Sequence, residues 1–321
     1  MMHGLAERVK ALARIKTPLT KRKDFGAFWA RAVKQSAVVP LDVKSRKVAS
    51  YPVPSMIVHD LTYAGLDGTC VAAWLLQPVA ARRPTPLMVV YHGAGGSRGF
   101  PSHHAAWVDM GFAVMAIDVR LQGGDTGSAS GFASGNAEGY QSIGLLDPLD
   151  YYAYHVWTDS LRAVQVAATW PGVDASRIVV NGGSQGGGVS LAMAALRHDV
   201  KLCLTDVPSS AWLEKRVVDR AGGCAPIAQY LRKRPEHLDR VEVTLSYFDL
   251  INHADRIRCP VYMSVGLKDT VCPPENAFAA YNRIRSPKEA AIYPFGEHDG
   301  GGAYHNERKL ERVARWLKTG K

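Results

Sequence analysis

The sequence predicts an α/β fold built on a mostly parallel, doubly wound sheet, and three observations predict it. Short continuous apolar runs recur along the chain, segments of helical periodicity separate them, and the polar and glycine-rich residues gather where the runs end. Continuous apolar runs indicate strands covered on both faces, the hallmark of a parallel sheet clad by helices. The 321 residues, 47% of them apolar and 21% charged, suit one large α/β domain with an ample core. The whole chain, 1–321, is read as that domain, with an N-terminal helical extension (1–50) and a helical insertion (212–256).

The elements follow in order. Asp24 stands where it can cap a helix that carries Phe25, Phe28, Trp29 and Val33 at helical spacing. Met56 to Tyr63 and Val71 to Leu76 read as strands joined by a turn at Gly65 to Gly68. Leu87 to Tyr91, Ala113 to Asp118, Arg177 to Asn181, Lys201 to Asp206, Val261 to Gly266 and Glu289 to Tyr293 read as buried strands. Asp159 to Trp170 and Val189 to Leu196 read as helices between them. Two segments break the rhythm: Gln122 to Tyr152, rich in Gly and Ser and then in Tyr, and the mainly helical stretch from Trp212 to Arg256. Insertions at strand ends shape substrate entrances or subunit contacts.

Composition excludes several classes. The formal net charge is +10, but the densest basic runs, Lys21 to Lys23 and Arg232 to Arg234, are only three residues long. No recognition-helix, zinc-finger or RNA-binding signature accompanies them, so no nucleic-acid partner is expected. The five cysteines are odd in number and form no CxxC pair, which argues against a disulfide framework or a zinc site and fits a reducing compartment. Met1 to Lys16 alternates apolar and basic residues without an apolar h-region and reads as a short surface helix, not a secretory signal. No run approaches the ~18 apolar residues of a membrane span. The expected location is cytoplasmic.

The strongest local signal is the strand ending at Asn181 followed by Gly182-Gly183-Ser184-Gln185-Gly186 and a helix. This is the G-x-S-x-G nucleophile elbow of an α/β-hydrolase in its required strand-turn-helix setting. The turn is so tight that side chains two residues either side of the nucleophile would collide, hence Gly182 and Gly186. It presents the Ser184 hydroxyl at a helix N-terminus, where the dipole favours developing negative charge. The run lacks the spacing of a phosphate-binding loop.

A serine nucleophile needs a base and an orienting acid, here in the chain order Ser, acid, His. Asp269 follows the strand Val261 to Gly266, and His298 sits in the loop after the next strand. They are the expected acid and base. His253, His305, Asp255, Glu297 and Asp299 are weaker rivals. The oxyanion needs two backbone donors: Gln185, which follows the nucleophile, and Tyr91, in the stretch Tyr91-His92-Gly93-Ala94-Gly95-Gly96.

These motifs resemble carbohydrate esterase family seven, the acetyl xylan esterase and cephalosporin C deacetylase family. The resemblance runs over nearly the whole chain. It is carried by Lys23-Asp24-Phe25, Gly182 to Gly188, Thr244 to Asp249, Ser264 to Pro274, Phe278 to Asn282 and His298 to Gly302. It implies a triad of Ser184, Asp269 and His298, oxyanion donors at Tyr91 and Gln185, and hydrolysis of acetyl groups from small sugars and related compounds. It also implies no metal or other cofactor, an intracellular location and a homo-oligomer, often a hexameric ring. The family's Arg-Gly-Gln-Gly is here Arg120-Leu121-Gln122-Gly123, which retains Arg120 and Gln122 as supporting residues. Its His-Glu pair is His298-Asp299, and the segment from Gln122 to Leu145 is shortened and divergent. These departures bear on substrate preference and oligomer contacts more than on the chemistry.

Overall fold

The structure, a computed structural model, describes residues 3–81, 84–133 and 138–320. The helices α1 (His3–Ala13) and α2 (Phe25–Val38) precede the strands β1 (Lys44–Lys47), β2 (Met56–Ala64), β3 (Cys70–Pro78) and β4 (Thr85–Tyr91). Then come α3 (Ala105–Asp109), β5 (Ala113–Ile117), α4 (Tyr152–Ala168), β6 (Val173–Gly183), α5 (Gln185–Leu196) and β7 (Val200–Asp206). The insertion supplies α6 (Leu213–Val218), α7 (Ala225–Lys233) and α8 (Leu238–Phe248). The chain ends with β8 (Val261–Gly266), α9 (Pro274–Tyr281), β9 (Lys288–Tyr293) and α10 (Gly302–Thr319).

The strands form one nine-stranded sheet in the order β1-β2-β3-β5-β4-β6-β7-β8-β9. The three pairings up to β3–β5 are antiparallel, and every pairing from β5 onward is parallel. Strand alternation splits the core into two layers. Leu87, Val89 and Val180 face Trp29, Trp157, Val164 and Met193 of α2, α4 and α5. Met88 and Val179 face Val108, Phe112, Val313 and Trp316 on the side of α3 and α10. The crossovers therefore cover both faces, as an α/β-hydrolase fold requires.

Three expectations change in detail. The extension 1–50 is not wholly helical, because Lys44–Lys47 pairs with β2 at the sheet edge. All four residues are exposed, so no apolar alternation betrays the strand, and its lysines and arginine protect the edge. Asp24 precedes α2 but makes no side-chain cap; its carboxylate instead accepts the Tyr247 hydroxyl at 2.6 Å. The helix expected from Asp159 starts earlier, at Tyr152.

Arg162 of α4 fastens the N-terminal extension to the sheet. Fully buried, its guanidinium donates to the carbonyls of Ser36, Val39, Pro40 and Ala64. The Trp29 indole adds a bond to the Tyr247 carbonyl at 2.9 Å.

The elbow fixes where α5 crosses β4. A Cβ on Gly186 would lie 2.0 Å from the Tyr91 carbonyl oxygen, and one on Gly182 2.5 Å from the Gly186 backbone. A Cβ on Gly183 would meet nothing nearer than 3.8 Å. Urea unfolding should separate these positions. Gly186→Ala should cost at least about 3 kcal/mol, whereas Gly183→Ala should stay within about 1 kcal/mol of the parent. Arg162→Leu should cost about 3 kcal/mol or more, because it leaves four carbonyls without their donor.

Candidate active site

Ser184 links β6 to α5 with φ 55° and ψ −117°, a strained backbone of the kind held at functional sites. Its N–H donates to the Asp206 carbonyl at 2.8 Å, and its carbonyl accepts from Gly188 and Ser209. The hydroxyl lies 2.9 Å from His298 Nε2. His298 Nδ1 lies 2.8 Å from Asp269 Oδ2. The other carboxylate oxygen, Oδ1, accepts the N–H groups of Val271 and Cys272, both at 2.8 Å. The Asp269 side chain is fully buried, whereas that of His298 is one-third exposed, at 33%. The three residues named from the sequence thus form one continuous hydrogen-bonded chain.

The rivals are engaged in other contacts. His253 is buried against the Tyr247 carbonyl at 2.9 Å, and burial pushes its pKa down to about 3. Asp255 pairs with Lys21. Asp299 turns back to accept the Glu297 N–H at 2.9 Å. His305 faces Asp206.

Gln185 is the first residue of α5, where a backbone N–H has no intrahelical acceptor. Tyr91 does not fill the role expected of it. It is the last residue of β4, in register with Ile117 of β5 and Gly182 of β6, so its N–H is committed to the ladder. Its ring is buried in the core. The part of this stretch that reaches the nucleophile lies two residues on: a Cβ on Gly93 would be 3.9 Å from that of Ser184. The Gly95 N–H is bound by Gln122 Oε1 and the Gly96 N–H by the Gly93 carbonyl. The amides of Gly93 and Ala94 lie between these two and the end of β4.

Arg120 and Gln122 hold this arrangement in place. Arg120 is fully buried and binds Asp159 through Nε and Nη2 and Asp67 through Nη1 and Nη2. Burial pushes Asp159 up to about 6 against the attraction of Arg120. Burial alone would raise Asp67 as well, but bonds from Arg120 and Ser130 hold it well below the ordinary carboxylate range. The Arg120 carbonyl accepts the Tyr152 hydroxyl at 2.6 Å. Tyr152 in turn accepts from Gln122 Nε2 at 2.8 Å, and that nitrogen also reaches the Gln185 carboxamide at 2.9 Å. The loop after β4 is thereby tied to the head of α5.

Between these two residues, Leu121 adopts φ 57°, a left-handed conformation that costs a branched residue about 1–2 kcal/mol. The glycine that the family resemblance implied at this position would carry no such cost.

Sequence reading missed Asp67, Asp159, Tyr152 and Cys272. The first three lie far from the motifs in sequence, and no spacing pairs them with Arg120. The Cys272 thiol lies against Ser184, and burial pushes its pKa up to about 11 despite the opposing Arg216. It therefore stays a neutral thiol and does not compete as a nucleophile. Among the described residues no group of three His, Cys, Asp or Glu is arranged to hold a metal, and no helix is long and apolar enough to cross a membrane.

The chain is similar to known acetyl esterases. The chain is 30% identical over 289 residues to the acetyl esterase Axe7A of Xylanibacter ruminicola, covering 88% of the chain and 64% of that relative's length. An acetyl xylan esterase structure from Paenibacillus sp. R4 superposes with a TM-score of 0.91 at 38% identity, over 95% of this chain and 98% of that one. Acetyl xylan esterase 1 from Thermoanaerobacterium sp. JW/SL YS485 superposes with a TM-score of 0.87 at 30% identity, over 94% and 98%. The sequence pattern described as acetyl xylan esterase (AXE1) matches residues 2–319, and the chain belongs to that family.

Proposed function

We propose that this protein is a serine esterase that removes acetyl groups from small acetylated carbohydrates and related compounds through an acyl-enzyme. The observation that carries the reading is the chain of two hydrogen bonds, 2.8 Å from Asp269 to His298 and 2.9 Å from His298 to Ser184, at the head of α5. Family membership supplies the acetyl ester as substrate class.

In the first step His298 Nε2 takes the hydroxyl proton of Ser184 as its oxygen attacks the acetyl carbonyl. Asp269 accepts a hydrogen bond from the Nδ1–H of His298 and stays ionised, which fixes the tautomer and supports the imidazolium. Gln185 N–H and an amide of the Gly93–Ala94 loop stabilise the oxyanion, each worth ~3 kcal/mol in the transition state. His298 then protonates the leaving alcohol. Water, activated by the same imidazole, releases acetate and restores Ser184.

The acetylated compounds in view are xylan fragments and acetyl side groups such as that of cephalosporin C. Five free cysteines, four of them buried, favour a reducing compartment such as the cytoplasm. A groove of about 560 Å³ lined by Leu231, Val241 and Leu245, flanked by the exposed Leu19, Val218 and Leu238, favours assembly into a homo-oligomer.

Ser184→Ala should reduce p-nitrophenyl acetate turnover at least about a thousandfold with an unchanged melting temperature; wild-type turnover in the folded variant would refute the nucleophile. In a panel of acetylated xylo-oligosaccharides, cephalosporin C, longer-chain esters and aminoacyl amides, kcat/KM should be highest for the acetyl esters. Preference for the amides would instead mark a peptidase.

A further inference from the structure

Asp206, the last residue of β7, lies between the strand that carries the nucleophile and the strand that leads to the acid. Its backbone oxygen accepts the Ser184 N–H at 2.8 Å. Its carboxylate serves two further elements. Oδ1 accepts the Ser264 hydroxyl of β8 at 3.2 Å and His305 Nε2 of α10 at 2.9 Å, and Oδ2 accepts Lys309 Nζ of α10 at 2.5 Å. His305 is buried, stacked on Tyr262, and its Nδ1 meets the Tyr293 hydroxyl at 2.9 Å. Lys309 is buried as well.

The loop that presents His298 rests on these same groups. A Cβ on Gly300 would lie 2.7 Å from Ser264 Oγ, and one on Gly301 2.4 Å from the Tyr293 ring. Both glycines have positive φ, 56° and 96°. Asp206, Lys309, Ser184 and His298 also line one crevice of about 390 Å³. A single residue thus joins the three: its backbone oxygen holds the nucleophile, and its carboxylate holds the strand before the acid and the helix after the base.

We propose that Asp206, held by His305 and Lys309, is a positioning residue for the triad. It fixes the Ser184 backbone and the His298 loop in one frame, and the Asp206–Lys309 pair borders the crevice that holds both. The proposal rests on the triad reading above. Burial alone would raise the Asp206 carboxyl, but the bond from His305 and the charge of Lys309 hold it below its ordinary value. Removing one member of a buried pair leaves the other charge uncompensated, here beside the base. The other ionisable groups around His298 are Asp269 after β8, Glu297 and Asp299 of its own loop, His305 of α10, His92 after β4 and the Cys272 thiol against Ser184. All of these stay in place in the variants below.

Without the Asp206 charge, Lys309 disfavours the imidazolium, so the acid limb of kcat/KM moves to lower pH. Without the Lys309 charge, Asp206 favours the imidazolium, and the limb moves to higher pH. Each displacement should be about half a pH unit.

The test compares full-length wild type, Asp206→Asn, Lys309→Met and the double variant for p-nitrophenyl acetate hydrolysis across pH, with melting temperatures and fluorophosphonate labelling of Ser184. Asp206→Asn should lower kcat about tenfold or more, keep KM within about twofold and slow the labelling, as expected for a nucleophile and base held slightly out of line. The limbs of the two single variants should move in opposite directions, and the double variant should return toward wild type. Wild-type kcat with unmoved limbs, or limbs displaced in the same direction together with lower melting temperatures, would overturn the proposal. Should Asp206→Asn fail to fold, Lys309→Met decides: an upward shift supports the proposal and an unmoved limb overturns it. Ser184→Ala in the same assay separates the two readings. Its full activity would remove the triad, whereas its inactivity beside unmoved limbs removes only the positioning role.

Discussion

The close crossing of α5 over β4 is the constraint on which the rest of the structure depends. The first turn of α5 presses against the carbonyls of Tyr91 and His92, with no room for a Cβ at Gly186. The contact holds Ser184 at φ 55°. It sets the Gln185 amide at the free end of the helix and brings the Gly93 loop against the nucleophile. The strain does not stop there. Leu121, Val207, Ser210 and Trp212 also have positive φ, and all follow the C-terminal ends of strands. Backbone strain thus gathers along the edge where the site is built, and the continuous core of the sheet sustains it.

Charge is handled differently on the two sides of the nucleophile. On one side Arg120 is closed in by two carboxylates and never meets the cleft; its task is to hold the backbone that carries Gln122. On the other, Asp206 and Lys309 border the cleft itself. Between them, Asp269 takes two backbone N–H groups on one oxygen and His298 on the other. Each of these buried charges is therefore matched by an opposite charge or by directed donors, as burial demands.

Much of this was legible in the chain. All eight strands expected from apolar runs appear, as β2 to β9, with ends displaced by at most two residues, except that β6 begins four residues before Arg177. Ser184, Asp269 and His298 could be named because each role is tied to one place, the turn after a particular strand. What stayed hidden has physical reasons. Strand β1 has no apolar face to announce it. Asp24 has the chemistry of a cap, but a tyrosine 223 residues away competes for its carboxylate. Tyr91 was misjudged because one or two residues separate a ladder amide from a free one, and strand ends are not readable to that precision. The partners of Arg120 and of Asp206 come from distant segments, and a single sequence contains no signal for such pairings.

The four carbonyls gathered by Arg162 have a consequence for how the chain is made. Its partners at Ser36, Val39 and Pro40 precede it by 122 to 126 residues. A ribosome therefore delivers α2, with Phe25 and Trp29 on its apolar face, long before the helix that receives it exists. Until α4 has emerged, that face has nowhere to dock. Helix α2 is thus made well before the helix that receives it, and during that interval its exposed aromatic face makes it a natural client for chaperones.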